Sequence, residues 1–103
     1  MKEKANIDKV KKIEITNFDI AQYLDNKEVI AQYLSSILAQ GSTDELLEAL
    51  GNIAKAKGIS QISKDTGLGR ESLYKTFNKG SKVKFETIKK ILDSFDIKMQ
   101  VLA

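Results

Sequence analysis

Residues 70–75 bring Arg70, Glu71, Ser72, Tyr74 and Lys75 together within two turns of a helix, if a helix forms there. Arginine presents a planar fork of donors that matches O6 and N7 of guanine. Glu71 can accept from cytosine N4 or orient the arginine, and Ser72 can donate to a base or to the DNA backbone. Tyr74 can meet a thymine methyl or a phosphate, or pack its ring on the scaffold. Lys75, with Lys79 a turn later, suits phosphate. This is the chemistry of recognition. The chain has neither His nor Cys, so the commonest general base, the commonest metal ligand and every thiolate are missing. Ser, Lys and Tyr occur without a base-and-orienter arrangement around them. We expect no catalytic residue, no metal and no cofactor.

Side chains of this kind read a duplex only when one helix face carries them and the rest of the fold holds that helix still. The stretch that does so is 59–80, ISQISKDTGLGRESLYKTFNKG. Ile59, Ile62 and Thr66 can share one face of a first helix. Gly67 can take a positive φ, which allows a sharp turn without a Cβ clash. Leu68 plugs that turn. Leu73 and Phe77, four apart, set an apolar stripe on a second helix. The layout is that of a helix-turn-helix, whose second helix lies in the major groove. The plainer reading is a helical hairpin with a solvated polar face. The offsets of small Ser63, turn Gly67, plug Leu68 and anchor Leu73 favour the former. These four are structural: they set the angle between the helices and touch no base.

The DNA-binding set expected from this layout is Gln61, Lys64, Gly69, Arg70, Glu71, Ser72, Tyr74, Lys75 and Lys79. Arg70 stands at the N-terminal end of the second helix, the part that points into the groove, and is the expected base reader. A phosphate contact is its plainer alternative. Gln61 and Lys64 lie near the start of the first helix, where backbone amides and dipole favour a phosphate.

The charge distribution agrees. The net charge of the 103 residues is only +3. Residues 55–84 carry seven lysines and Arg70 against Asp65 and Glu71, a net +6 that coincides with the helix-turn-helix. Residues 14–54 hold seven acids against Lys27, a net −6. Residues 1–13 are lysine-rich and read as a flexible basic arm.

Hydrophobic content of 42% and charged content of 30% are ordinary for one globular domain. No apolar run reaches membrane-spanning length, and residues 1–12 lack the apolar core of a signal peptide, so the cytoplasm is the expected location. Residues 17–25 predict a short helix contacting through Phe18, Ile20, Ala21 and Leu24. Asp25 or Asn26 then caps a helix to about Gln40, with Val29, Ile30, Tyr33, Leu34, Ile37 and Leu38 as its apolar stripe. IAQYL occurs in both, at 20–24 and 30–34, as two helices meeting one packing demand. Ser42 and Glu45 have the spacing of a capping box, opening a helix to Lys57 that buries Leu46, Leu47, Leu50, Ile53 and Ala54. A last helix, about 85–95, buries Phe85, Ile88, Ile91, Leu92 and Phe95. The tail 97–102 alternates apolar and polar with the strand period, and a lone strand must find a partner.

The run Gly67-Leu68-Gly69-Arg70-Glu71-Ser72-Leu73-Tyr74-Lys75, followed by Phe85-Glu86-Thr87-Ile88, closely resembles the HigA-like antidotes of addiction modules, within the phage-repressor helix-turn-helix class. Asn17-Phe18-Asp19, Tyr23-Leu24-Asp25, Tyr33-Leu34, Ala49-Leu50-Gly51-Asn52-Ile53-Ala54 and Lys57-Gly58 extend the resemblance over about residues 14–100. Gly69 stands where that family often has Ser, and Val83 where it often has Pro. The resemblance implies a toxin partner, a small basic ribonuclease of the RelE/HigB type, which the acidic half can complement. Asp19, Asp25 and Glu28 are the candidate toxin contacts, with Asp44, Glu45 and Glu48 available beside them.

The expectation is therefore an all-α, five-helix, phage-repressor-like domain. Residues 14–41 form a helical extension, 42–96 a DNA-binding core and 97–103 an extended tail. As a homodimer it binds double-stranded operator DNA, represses its own operon and neutralises its toxin. A regulator with no toxin partner is the alternative; an enzyme, or an adaptor that has lost DNA binding, fits the residues less well.

Overall fold

In the computed structural model the described residues, 20–23 and 25–103, form a 3-10 turn, Ile20–Tyr23, and five α-helices. These are α1 (Lys27–Gln40), α2 (Thr43–Lys57), α3 (Ile59–Thr66), α4 (Arg70–Phe77) and α5 (Phe85–Ser94). The all-α expectation holds. Of the short helix expected over 17–25, the described part is the 3-10 turn, while Phe18, Asp19 and Leu24 lie outside the described residues. So does the basic arm, 1–13.

Local chemistry accounts for the helix ends. Asn26 Oδ1 accepts from Val29 N at 3.2 Å and starts α1. Ser42 and Glu45 form the full capping box of α2: Ser42 Oγ accepts from Glu45 N at 3.1 Å, and Glu45 Oε1 from Ser42 N at 2.9 Å. A box of this kind satisfies two of the helix's orphan amides. Helix α5 is capped by Phe95 and followed by Asp96, which sits in the left-handed region at φ 62°, and Ile97 N–H closes on Leu92 O at 3.0 Å. The Asp96 carboxylate pairs with the Lys27 ammonium, tying the end of α5 to the start of α1.

One core draws on every helix. Leu47, Leu50 and Ile53 of α2 are fully buried, as are Ile62 of α3, Leu73 of α4, and Ile91 of α5 with Phe95 just beyond it. Helix α2 is the hub, packing on α1, α3, α4 and the 3-10 turn, while α3 also packs on α5. Ile30, Tyr33 and Leu34 of α1 belong to the same core. The segment up to residue 40 therefore cannot be removed to leave residues 42 onward intact, because that would uncover the apolar face of α2.

Two apolar positions differ from the sequence pattern. Leu38 is 51% and Phe85 62% exposed, although helical periodicity assigned both to the core. Each stands near the end of its helix, where the stripe runs past its neighbours. The tail forms neither strand nor helix among the described residues, and only Ile97 in it is buried.

Candidate nucleic-acid interface

Helix α3, residues 67–69 and α4 form two short helices joined by a tight turn, an arrangement compatible with a helix-turn-helix, and hydroxyl groups hold the turn. Gly67 lies at φ 76°, where a side chain would be strained, and its N–H bonds Ser63 O at 2.9 Å. Ser63 Oγ donates to Leu68 O at 2.6 Å. Thr66 Oγ1 donates to Ile62 O at 2.7 Å and accepts from Leu68 N at 3.2 Å. Ser63 thus has a bonding role, not only the small size noted from sequence. Thr66, placed on the apolar face from sequence, works as a hydrogen-bonding bridge. Leu68 packs half-buried against the core.

The turn delivers α4 with one face down and one out. Leu73 is 0% exposed. Gly51 of α2 lets α4 come close, since a Cβ built on it would lie 3.0 Å from Phe77 Cβ. Around that anchor Arg70, Glu71, Ser72, Tyr74 and Lys75 are all exposed, and so are Gly69, Lys79, Gln61 and Lys64. All nine residues expected to bind DNA are at the surface of this one unit. Tyr74 is 46% exposed, so its ring is only partly packed on the scaffold.

The internal bonds of this surface sort its side chains. Arg70 Nη2 donates to Ser60 Oγ at 2.6 Å. The group that orients Arg70 is therefore Ser60, on the neighbouring helix, and not Glu71 as the sequence allowed. Ser60 was missed because its partner is ten residues away and no periodic pattern links them. Gln61 Nε2 donates to Asp65 Oδ1 at 2.8 Å within α3. Among the described residues neither ion pair involves Lys64, Arg70, Lys75 or Lys79, so their charge is available to a polyanion.

The loop after α4 is fastened down. Gly80 N donates to Asp44 Oδ1 at 2.8 Å, and Ser81 Oγ donates to Lys75 O at the end of α4. Asp44 and Glu45 thus serve the fold, as loop anchor and capping box. Asp25 and Glu28 stand exposed at the start of α1, and Glu48 is exposed on α2. Asp19 lies outside the described residues. No group of acids suited to a metal ion, and no helix long and apolar enough to cross a membrane, occurs among the described residues.

Comparison with known proteins adds a family. Residues 14–103 match the family described as probable addiction module antidote protein. A Haemophilus influenzae protein described as uncharacterized is 36% identical over 88 residues, spanning 85% of this chain and 91% of its own. No solved structure matches.

Proposed function

The chain belongs to the family of probable addiction module antidote proteins, and from that premise we propose that it is the antitoxin of a type II toxin–antitoxin module. In this reading it is a HigA-like member of the phage-repressor helix-turn-helix class, acting in the cytoplasm as a homodimer. It binds double-stranded operator DNA, represses its own operon and neutralises a RelE/HigB-type toxin. It works by binding alone, with no catalytic residue, metal or cofactor.

The observation that carries the DNA reading is the division of α4. Leu73 is buried, while Arg70, Ser72, Tyr74 and Lys75 are exposed around it. Laid in the major groove, the first turn of α4 brings Arg70 to a base edge, where its fork can engage guanine O6 and N7. Glu71 and Ser72 meet neighbouring bases or backbone. Lys75, Lys79 and Lys64 neutralise phosphates, with Gln61 beside them. The toxin reading rests on the family and on the acidic start of α1, where Asp25 and Glu28 are exposed.

Footprinting of the full chain on the DNA upstream of its own gene tests the first half. Two half-sites about one helical turn apart are expected. Equal affinity for that DNA and for random duplex would sink it. Co-expression with a small basic reading frame adjoining the gene tests the second half, with a stable complex and a blocked ribonuclease expected. Intact operator binding with no such partner would leave a regulator outside any toxin module.

A further inference from the structure

The C-terminal tail carries the most exposed large apolar residues of the described chain. Ile97 is buried, but Met99 is 38%, Leu102 80% and Val101 93% exposed. Among the described residues, no main-chain hydrogen bond between elements involves residues 98–103. Beside the tail lies a groove of about 240 Å³, lined by Leu92, Ile97 and Met99 together with Lys89, Asp93 and Lys98. Phe85, 62% exposed, stands on the same stripe of α5 as Lys89 and Leu92, at i, i+4 and i+7.

The geometry points to a second copy of this chain as the occupant, its tail paired antiparallel with the first about a two-fold axis at Met99. This rests on the homodimer of the proposed function and gives it an interface.

Register supplies the argument. Directly opposed residues of an antiparallel pair point to the same face. To keep Ile97, Met99 and Val101 together, the axis must fall on a residue and not between two. An axis at Lys98 sets that lysine against its own copy. An axis at Gln100 sets Ile97 against the small Ala103 and Lys98 against Leu102. An axis at Met99 sets Ile97 against Val101, Met99 against itself and Lys98 against Gln100, so the three apolar groups of that face are matched and no like charges are opposed, while Leu102, on the other face, meets Asp96. A foreign strand needs no such self-complementarity. Two short strands alone are marginal in water, so the groove and Phe85 provide the remaining apolar contact.

The test uses the full chain, which contains no cysteine. Sedimentation should show a dimer. Val101→Lys should raise its dissociation constant about tenfold or more while the helical circular dichroism stays unchanged. Under mild oxidation Met99→Cys should link into covalent dimers, because opposed Cβ atoms lie within disulfide reach. Gln100→Cys, facing Lys98, should not. A wild-type monomer overturns the inference, as does a tail protected from hydrogen exchange only when the toxin is added. Faster linking through Gln100→Cys than through Met99→Cys also overturns it. A dimer that survives Val101→Lys and fails to link through Met99→Cys overturns the tail pairing but leaves the two-fold DNA reading standing. A tail-paired dimer without operator preference overturns the DNA reading alone.

Discussion

The guanidinium of Arg70, the first residue of α4, donates to the hydroxyl of Ser60, near the start of α3, at 2.6 Å. The bond joins the N-terminal ends of the two helices and holds the expected base reader in one orientation before DNA arrives. Arg70→Ala should cost about 1–3 kcal/mol on the operator and flatten sequence preference. Ser60→Ala should cost less, about 0.5–1.5 kcal/mol, through loss of that one bond. The two losses should not add, because Ser60 acts through Arg70. Additive losses in a double-mutant cycle of operator affinities would separate them.

Lys75 should behave differently from Arg70. It is exposed and takes no part in either described ion pair. As a phosphate contact, Lys75→Ala should weaken all duplexes alike and lower the slope of log affinity against log salt by about 1. Titrations on operator and random DNA at several salt concentrations check this. A loss confined to the operator would make Lys75 a base reader.

Two substitutions should act through stability. Leu73 is fully buried, so Leu73→Ala should leave a cavity costing about 2–5 kcal/mol. Gly51→Ala would place a methyl carbon 3.0 Å from Phe77 Cβ, which is fixed to the backbone of α4. Overpacking of about 1–3 kcal/mol should outweigh the better helix propensity of alanine, worth about 1 kcal/mol. Denaturant unfolding measures both. Unchanged stability of Leu73→Ala with lost operator binding would put Leu73 on the outer face.

Toxin neutralisation should depend on the acidic start of α1 and not on α4. Converting Asp25 and Glu28 to lysine should weaken neutralisation and spare operator affinity, since both are exposed. Each acid also favours the positive end of a helix, so about 0.3–1 kcal/mol of stability should be lost per site. Neutralisation retained here but lost in Lys64 and Lys75 variants would reverse the division. Deletion of α1 would not separate the two roles, because Ile30, Tyr33 and Leu34 are part of the core.

The Lys27–Asp96 pair should make a small, salt-sensitive contribution with a defined pH dependence. The ammonium of Lys27, by hydrogen bond and then by charge, holds the Asp96 carboxyl below its usual value. The same contacts raise Lys27. A lowered carboxyl stabilises the fold above the ordinary carboxylate range and stops doing so as pH falls through its folded value. A raised lysine stabilises below the ordinary lysine range and stops as pH rises beyond it. Thermal melts of Asp96→Asn should therefore fall below those of the wild type near neutrality and converge with them in acid. The difference should shrink with salt, because both side chains are exposed.

Sequence alone determined the elements whose causes are local. The capping box at Ser42 and Glu45, the turn at Gly67 and the stripe through Leu73 each depend on residues within one or two turns, so spacing reveals them. The nine surface positions of the candidate interface were legible for the same reason: they are what remains once the apolar stripe of each helix is assigned. Contacts distant in the chain were not legible. That Ser60 orients Arg70, that Asp44 anchors the loop at Gly80 and that Asp96 meets Lys27 depend on how helices are set side by side, which periodicity does not encode. The exposure of Leu38 and Phe85 has the same origin. A helical repeat says which side of a helix is apolar, but only tertiary packing decides how far along that side a neighbour reaches.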